Sequence, residues 1–294
     1  MAIPFGPVEV RVPATSANLG PGFDCLGVAL AIHLKIRFYE AATSEIAGVG
    51  RRHPIEKNLT HGAFVAAFEL AGKSPPPVLI ETVDAYPSAR GLGASASAIV
   101  AGLVGARSMG ALALEDDALA LLGSEIEGHA DNVLPAFFGG LLLKLSSGWL
   151  RFEPTDDLAP LVLIARDKFK TGKARQVLPP QVTRADAVSA ASSTAGLVAM
   201  LTGESPPAHL LEATADRLHE PYRLPLMPET EGLHRTLRNE GIPTALSGAG
   251  PSLICLVEQR ALEDARRVIR SLLPRGWTIE SPGWDLEGAL LTSA

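Results

Sequence analysis

The chain has 294 residues, 47% of them hydrophobic and 20% charged, with a formal net charge of −6. That is ample for a large core, in one big domain or two. The acidic balance, with no basic run and no aromatic–basic interleaving, argues against nucleic acid as a partner. Cys25 and Cys255 are the only cysteines. Two are too few for a disulfide scaffold or a zinc site, and they fit a reducing compartment. The opening Met1 to Pro7 is broken by proline and glycine and does not read as a signal peptide. The longest apolar runs, such as 136–143, fall short of the ~20 residues of a membrane span. A soluble, cytoplasmic protein with no membrane partner is expected.

Alternation predicts a strand over Val8–Val12 and another over Ala31–Tyr39, with Ile32, Leu34, Ile36 and Phe38 on one face. Between them, Gly20–Leu30 is turn-rich and then apolar. Asn58–Leu70 reads as a helix with Asn58 as N-cap; Leu59, Phe64, Ala67 and Phe68 share a face. Prolines 75–77 end that unit, and Val78–Val83 is a strand. A helix is expected over Ser95–Met109 and another over Leu114–Ile126, with Glu115, Asp116 and Asp117 favourably placed in its first turn. Phe137–Leu145 and Trp149–Phe152 read as a hairpin around Ser146, Ser147 and Gly148. Pro154–Pro160 is the best linker. Strands follow at Leu161–Ala165, Thr244–Leu246, Ser252–Val257 and near Trp277–Glu280, with an amphipathic helix over Leu262–Leu273. This is mixed α and β, without the regular alternation of a doubly wound sheet.

The most informative stretch is Pro87, Ser88, Ala89, Arg90, Gly91, Leu92, Gly93, Ala94, Ser95, Ala96 and Ser97. Glycines ahead of a helix let the backbone bend through positive φ and approach a ligand closely. The helix then directs unpaired N–H groups and its positive dipole end at that loop, which makes an anion site. Ser95, at the helix start, could cap it or ligate a phosphate-bound metal. A tight packing loop would look the same. Gly72, Lys73 and Ser74 resemble the tail of a P-loop, but position 67 is alanine and prolines follow where a helix is required. The dinucleotide fingerprint matches Gly91, Gly93 and Ala96, with Glu115 further on. Pro87–Arg90, however, separates those glycines from the preceding strand. An oxidoreductase built on that fingerprint stays open as the alternative.

Other segments carry candidate chemistry. Asn18 and Asp24 stand in a run of small polar and turn residues, Thr15–Gly27, where a capped turn is the simpler explanation. Glu125, Glu127, His129, Asp131 and Asn132 crowd into eight positions, which suits a magnesium or proton-transfer site, or merely a polar helix end. Lys173 and Arg175, in the run that starts at Thr171, and Arg223 put cations beside turns. Arginine can bind a carboxylate or phosphate with both nitrogens, and it can equally be a surface residue. Ser247, Gly248, Ala249, Gly250 and Pro251 form a second tight glycine turn.

In order along the chain, residues 13–27, 87–97 and 246–252 resemble the three motifs of the GHMP small-molecule kinases. With 127–132 and 171–175 added, they resemble the homoserine kinases within that superfamily, over nearly the whole length. The resemblance implies an α+β, two-domain GHMP kinase-like fold with the nucleotide site at the domain junction. Residues 1–153 would be the ATP-binding domain and 161–294 a C-terminal α+β domain. It implies transfer of the γ-phosphoryl of ATP to the hydroxyl of L-homoserine, a step of threonine biosynthesis, with ATP and Mg2+ as cofactors. A homodimer remains open. By matching positions, Pro87 to Ser97 would wrap the phosphates and Asn58 would lie near the nucleotide. Ser95 and Glu125 would hold Mg2+, with Glu125 preferred to Glu127. Asn18, Asp24, His129, Asn132, Arg175 and Arg223 would surround the amino acid, Asp24 facing its ammonium and the arginines its carboxylate. Thr171 would sit between substrate and phosphate. Asn132 and Arg175 would take the catalytic roles.

Two departures matter. Ala94 stands where the family usually has serine, so only Ser95 is assigned to the metal. Asn132 stands where relatives such as mevalonate kinase place an aspartate base. A loose phosphoryl-transfer transition state tolerates that loss, because it needs positioning and charge neutralisation more than deprotonation. A non-catalytic metabolite-binding module of the same fold is the third reading; it leaves the joint presence of Ser95 and Glu125 unexplained.

Overall fold

Strand β1 (Val8–Asn18) pairs antiparallel with β2 (Gly22–Glu40), and this long ribbon is the spine of the molecule. The structure is a computed structural model and describes residues 7–48, 55–169 and 171–292, with the side chain of Thr171 outside that set. The ribbon's register shifts between Pro13 and Ala14 and again between Ala17 and Asn18. Proline has no N–H for the ladder, so a shift beside Pro13 is the expected response. Beyond it, Asn18 reaches the functional cleft described below, and Thr15 is buried.

The rest follows in chain order. Strand β3 (Glu45–Gly48) and helix α1 (Leu59–Leu70) lead to β4 (Val78–Asp84). Helices α2 (Ala94–Met109), α3 (Asp116–Glu127) and α4 (Val133–Phe138) come next. Strands β5 (Leu141–Leu145) and β6 (Gly148–Phe152) form a hairpin, and β7 (Leu158–Ile164) starts the second sheet. Helices α5 (Thr171–Gln176), α6 (Arg184–Leu201), α7 (Leu210–Ala213), α8 (Glu220–Arg223) and α9 (Pro228–Asn239) precede β8 (Thr244–Leu246) and β9 (Leu253–Glu258). The last elements are α10 (Leu262–Leu272), β10 (Thr278–Glu280) and β11 (Leu290–Thr292).

Seven strands form the first sheet, ordered β11-β1-β2-β4-β3, with β5 and β6 added alongside β2; four form the second, ordered β10-β7-β9-β8. Among the described residues β3–β4 is the parallel pair and the other ladders are antiparallel. That excludes the doubly wound sheet a dinucleotide-binding oxidoreductase requires. One core packs α1, α2 and α4 on the first sheet through Phe38, Phe64, Ile99, Leu103 and Leu134. A second core joins the two sheets, with Leu26, Val28 and Leu30 meeting Val162, Ile254 and Leu256.

Three local expectations change, and one strand is found that the sequence did not announce. Gly22–Glu40 is one strand where a turn-rich stretch and a shorter strand are expected. Val133–Phe138 is helical, so the hairpin starts at Leu141 and not Phe137; a short apolar run alone does not separate buried helix from buried strand. Leu158–Pro160, read as linker, already belongs to β7. Leu290–Thr292, at the far end of the second half, returns to pair with β1 in the first sheet.

Candidate active site

The loop before α2 meets the tip of the β1–β2 ribbon and the turn between β8 and β9 at a cleft of about 420 Å³. Gly91 (φ +80°) and Gly93 (φ +66°) are left-handed. A Cβ on Gly91 would fall 2.1 Å from Ser247 O, and one on Gly93 would fall 1.9 Å from Thr15 Oγ1. Only glycine fits either position. Gly93 is also the N-cap of α2 and offers no side chain to the first N–H groups. A 16-residue helix therefore points uncapped donors into the cleft, the arrangement that binds phosphate.

Not all of 87–97 faces that cleft. Ser88, Ala89 and Gly91 to Ser95 line it. The expected contacts from Pro87, Arg90, Ala96 and Ser97 are corrected. Pro87 is exposed to solvent outside the cleft wall. Arg90 reaches away to Arg166 O, with Nη2 at 2.6 Å. Ala96 is core, and Ser97 is buried, donating to Pro13 O at 2.8 Å. Asn58 caps α1 as expected, its Oδ1 accepting from His61 N at 2.9 Å, and stands next to Leu59, which lines the cleft.

The largest correction concerns the carboxylate. Glu125 is exposed, whereas Glu127 lines the cleft and accepts a hydrogen bond from Ser95 Oγ. Two residues along a helix turn about 200°, so one α3 position faces the cleft only if the other faces away. Burial raises the Glu127 pKa, partly offset by the Ser95 bond and His129. His129 Nδ1 lies 2.6 Å from Asp131 Oδ1, and its Nε2 lies 3.8 Å from Glu127 Oε1. Burial alone would lower the His129 pKa, but the Asp131 bond and the two carboxylates outweigh it and the net shift is upward. The imidazole therefore leans toward its cationic form.

Asn132 is held at both ends. Its Oδ1 accepts from Thr15 Oγ1 at 2.8 Å, and its Nδ2 donates to Asp131 Oδ1 at 3.3 Å. One lone pair and one amide hydrogen remain for a ligand. Asp24 and Arg175 meet across the mouth as a two-nitrogen pair, at 3.0 and 2.9 Å. Asn18 braces Asp24 by accepting its backbone N–H at 3.0 Å and ties the ribbon to Gly248 O at 2.9 Å. Arg223 is 2% exposed. It donates to Ala174 O at 3.2 Å and sits 5.0 Å over the Phe23 ring. Burial pulls its pKa down.

Asn18, Asp24, Ser95, His129, Asn132, Arg175 and Arg223 thus line one cleft. The expected role of Thr171 falls on a side chain outside the described residues. Sequence reasoning missed Leu59 and Phe169 in the cleft wall and Thr15 behind Asn132, and it named Asp131 without giving it a role. Asp131 was signalled by its spacing from His129, two positions on; Phe169 carries no signal of its own.

The comparisons with known proteins agree with this geometry. The model of the GHMP kinases N-terminal domain matches residues 58–140, and that of the GHMP kinases C-terminal domain matches 205–275. A homoserine kinase of Streptomyces coelicolor is 41% identical, over 96% of this chain and 93% of its own. The chain belongs to the GHMP kinase family. A homoserine kinase of Deinococcus radiodurans is 37% identical over 88% of this chain and 87% of its own. A crystal structure of homoserine kinase from Cytophaga hutchinsonii superposes with a TM-score of 0.86, over 99% of each chain at 24% identity, a likeness of fold. As a GHMP kinase the chain is a phosphotransferase that uses ATP, and its α+β fold is that of the family.

Proposed function

We propose that this GHMP kinase transfers the γ-phosphoryl of ATP to the side-chain hydroxyl of L-homoserine, giving O-phospho-L-homoserine and ADP. The observation that carries this reading is the cleft itself. An uncapped helix N-terminus and glycine loop stand on one side, and Asp24, Arg175 and Arg223 on the other. An amino acid presents one ammonium and one carboxylate; Asp24 suits the first and the arginines suit the second. The 37–41% identities with homoserine kinases support the same substrate.

In this mechanism the N–H groups of α2 and the Gly91–Gly93 backbone hold the phosphates. Ser95 and Glu127 offer a hydroxyl and a carboxylate, the hard oxygen donors that Mg2+ takes beside substrate phosphates. We therefore move the metal role from Glu125 to Glu127; Mg2+ supplies charge neutralisation on the phosphates when bound. Asn132 orients the hydroxyl oxygen toward the γ-phosphorus. The oxygen–phosphorus bond forms as the bond to the β-phosphate oxygen breaks, and the hydroxyl proton passes to a phosphoryl oxygen. Asn132 does not titrate near neutrality and takes no proton. The 1–153 and 161–294 division belongs to the same proposal, with β11 as a strand contributed back to the first unit.

ADP release across homoserine, mevalonate, galactose and shikimate tests the reading. Homoserine should be turned over at least about tenfold more efficiently than the others, the discrimination expected from paired charges. Equal turnover of an uncharged alcohol would overturn it.

A further inference from the structure

Glu220 opens α8 and is almost fully buried, with a side chain 4% exposed. A carboxylate there needs partners, since an unpaired buried charge is strongly unfavourable. Its Oε1 accepts from Leu246 N at 2.6 Å, and its Oε2 faces His234 Nε2 at 3.2 Å. Burial would raise its pKa, yet His234, His219 and the Leu246 N–H outweigh that and lower it. The acid is therefore ionised. The charged groups around it come from several elements: His219 before α8, His234 and Arg238 on α9, and Asp216 at the helix start.

The position of Leu246 gives this bond its meaning. Among the described residues strand β8 is the edge of its sheet and pairs only with β9. Among the described residues no strand lies beside the outward N–H of Leu246, and Glu220 takes that place. Directly after Leu246 comes the glycine turn of 247–251. Its Gly248 O accepts from Asn18 Nδ2 at 2.9 Å and from Arg223 Nη1 at 3.4 Å. Arg223 lies three residues after Glu220 on the same short helix. Two rungs thus join α8 to this turn, Glu220 to Leu246 and Arg223 to Gly248. A four-residue helix has little cohesion of its own, so its orientation depends on such rungs.

We propose that Glu220 is a positioning residue of the phosphoryl transfer. Through the Leu246 N–H it sets the glycine turn and Arg223 at a fixed distance from each other, and so shapes the amino-acid half of the cleft. This rests on the cleft being the homoserine and ATP site. The phosphate loop touches that turn through Ser247 Oγ to Gly91 O at 2.6 Å, but it is also anchored on the ribbon, by Thr15 N to Leu92 O at 3.1 Å and Ser97 Oγ to Pro13 O at 2.8 Å. Loss of Glu220 should therefore fall on homoserine and largely spare ATP.

The test is steady-state kinetics with both substrates varied, alongside Tm. Glu220→Met keeps the length and removes the acceptor. The homoserine KM should rise about tenfold or more, the effect of one buried hydrogen bond to a polar partner, with the ATP KM within about threefold. Glu220→Gln keeps an oxygen for Leu246 and should restore the homoserine KM to within about threefold of wild type. Should the Met variant not fold, Glu220→Asp withdraws the carboxylate by one methylene and should give the same split. An unchanged homoserine KM in the folded Met or Asp variant overturns the proposal. So does a parallel loss in both KM values and Tm that Gln does not rescue. Wild-type enzyme that releases no ADP with homoserine overturns the functional reading first, and this inference with it.

Discussion

At the scale of single residues, the cleft separates side chains by what they can still do once their partners are counted. Glu127 faces Ser95 inside the cleft, and Glu125 is exposed outside it. Glu127→Gln should lower kcat on the order of 10²-fold, as removal of one charged group at a developing phosphoryl charge does. Glu125→Gln should leave it within about twofold. ADP release on both variants decides between them, and the reverse pattern would return the metal role to Glu125. Asp24→Asn removes the counter-charge for the substrate ammonium. A charge-assisted bond contributes roughly 1.5–3 kcal/mol, so the homoserine KM should rise about one to two decades while the ATP KM holds. Asn132→Asp separates positioning from base catalysis. Asn132 Nδ2 donates to Asp131 Oδ1 at 3.3 Å, so a carboxylate there would face a second one and the incoming phosphates. The rate should fall. A faster variant with a steeper acidic limb in kcat/KM would show that the site lacks only a base.

At the scale of elements, the loop before α2 is set by sterics more than by polar contacts. Gly93→Ala must hold φ +66° and place a methyl 1.9 Å from Thr15 Oγ1. The left-handed conformation alone costs about 1–2 kcal/mol. The clash adds to it by pushing Thr15 off Asn132. Thermal melting should show a drop of several degrees, and ATP affinity should fall with it; an unchanged Tm would contradict so close an approach of loop and ribbon. This loop was legible in the sequence because glycine spacing and the following helix share one cause, a backbone bend aimed at an anion. The first part of β1, the second half of β2, α1 and α10 were legible through their periodicity, and α2 and α3 through their composition. Helix α4 was not, because six apolar residues have no readable period. Glu127 was passed over in favour of Glu125 for a related reason. Both glutamates sit in the last turn of α3, where only packing against the cleft tells which one points inward. Strand β11 is three residues long and carries meaning only through its partner β1.

At the scale of the whole molecule, that last strand closes the first sheet, and acids hold it in place. Asp285 is bonded to His33 Nε2 at 2.7 Å and accepts the N–H groups of Gly288 at 2.7 Å and Glu287 at 3.0 Å. Glu9, on β1, accepts from Thr292 Oγ1 at 2.8 Å and from Arg37 Nε at 2.6 Å. Burial would raise both pKa values, but for Asp285 the His33 and backbone bonds win, and for Glu9 the Thr292 and Arg37 bonds win, so both are lowered. A carboxylate with a depressed folded pKa contributes stability that is fully present above its unfolded value, near 4. That stability is lost as pH falls through the folded value. Glu220 is shifted the same way. Denaturant midpoints should therefore hold from about pH 7 to 5 and fall steeply below the unfolded carboxylate range. Asp285→Asn keeps a carbonyl oxygen for Gly288 and Glu287 but no longer titrates. It should lower stability at neutral pH and flatten the acid limb, so that the two curves converge as the acid limit is approached. The local readout is hydrogen exchange at the β1–β11 ladder. In the wild type its protection should fall on acidification ahead of the α1–α2 core; in Asp285→Asn it should already be low at pH 7. Parallel stability curves for wild type and variant would show that Asp285 contributes shape and no charge to this closure.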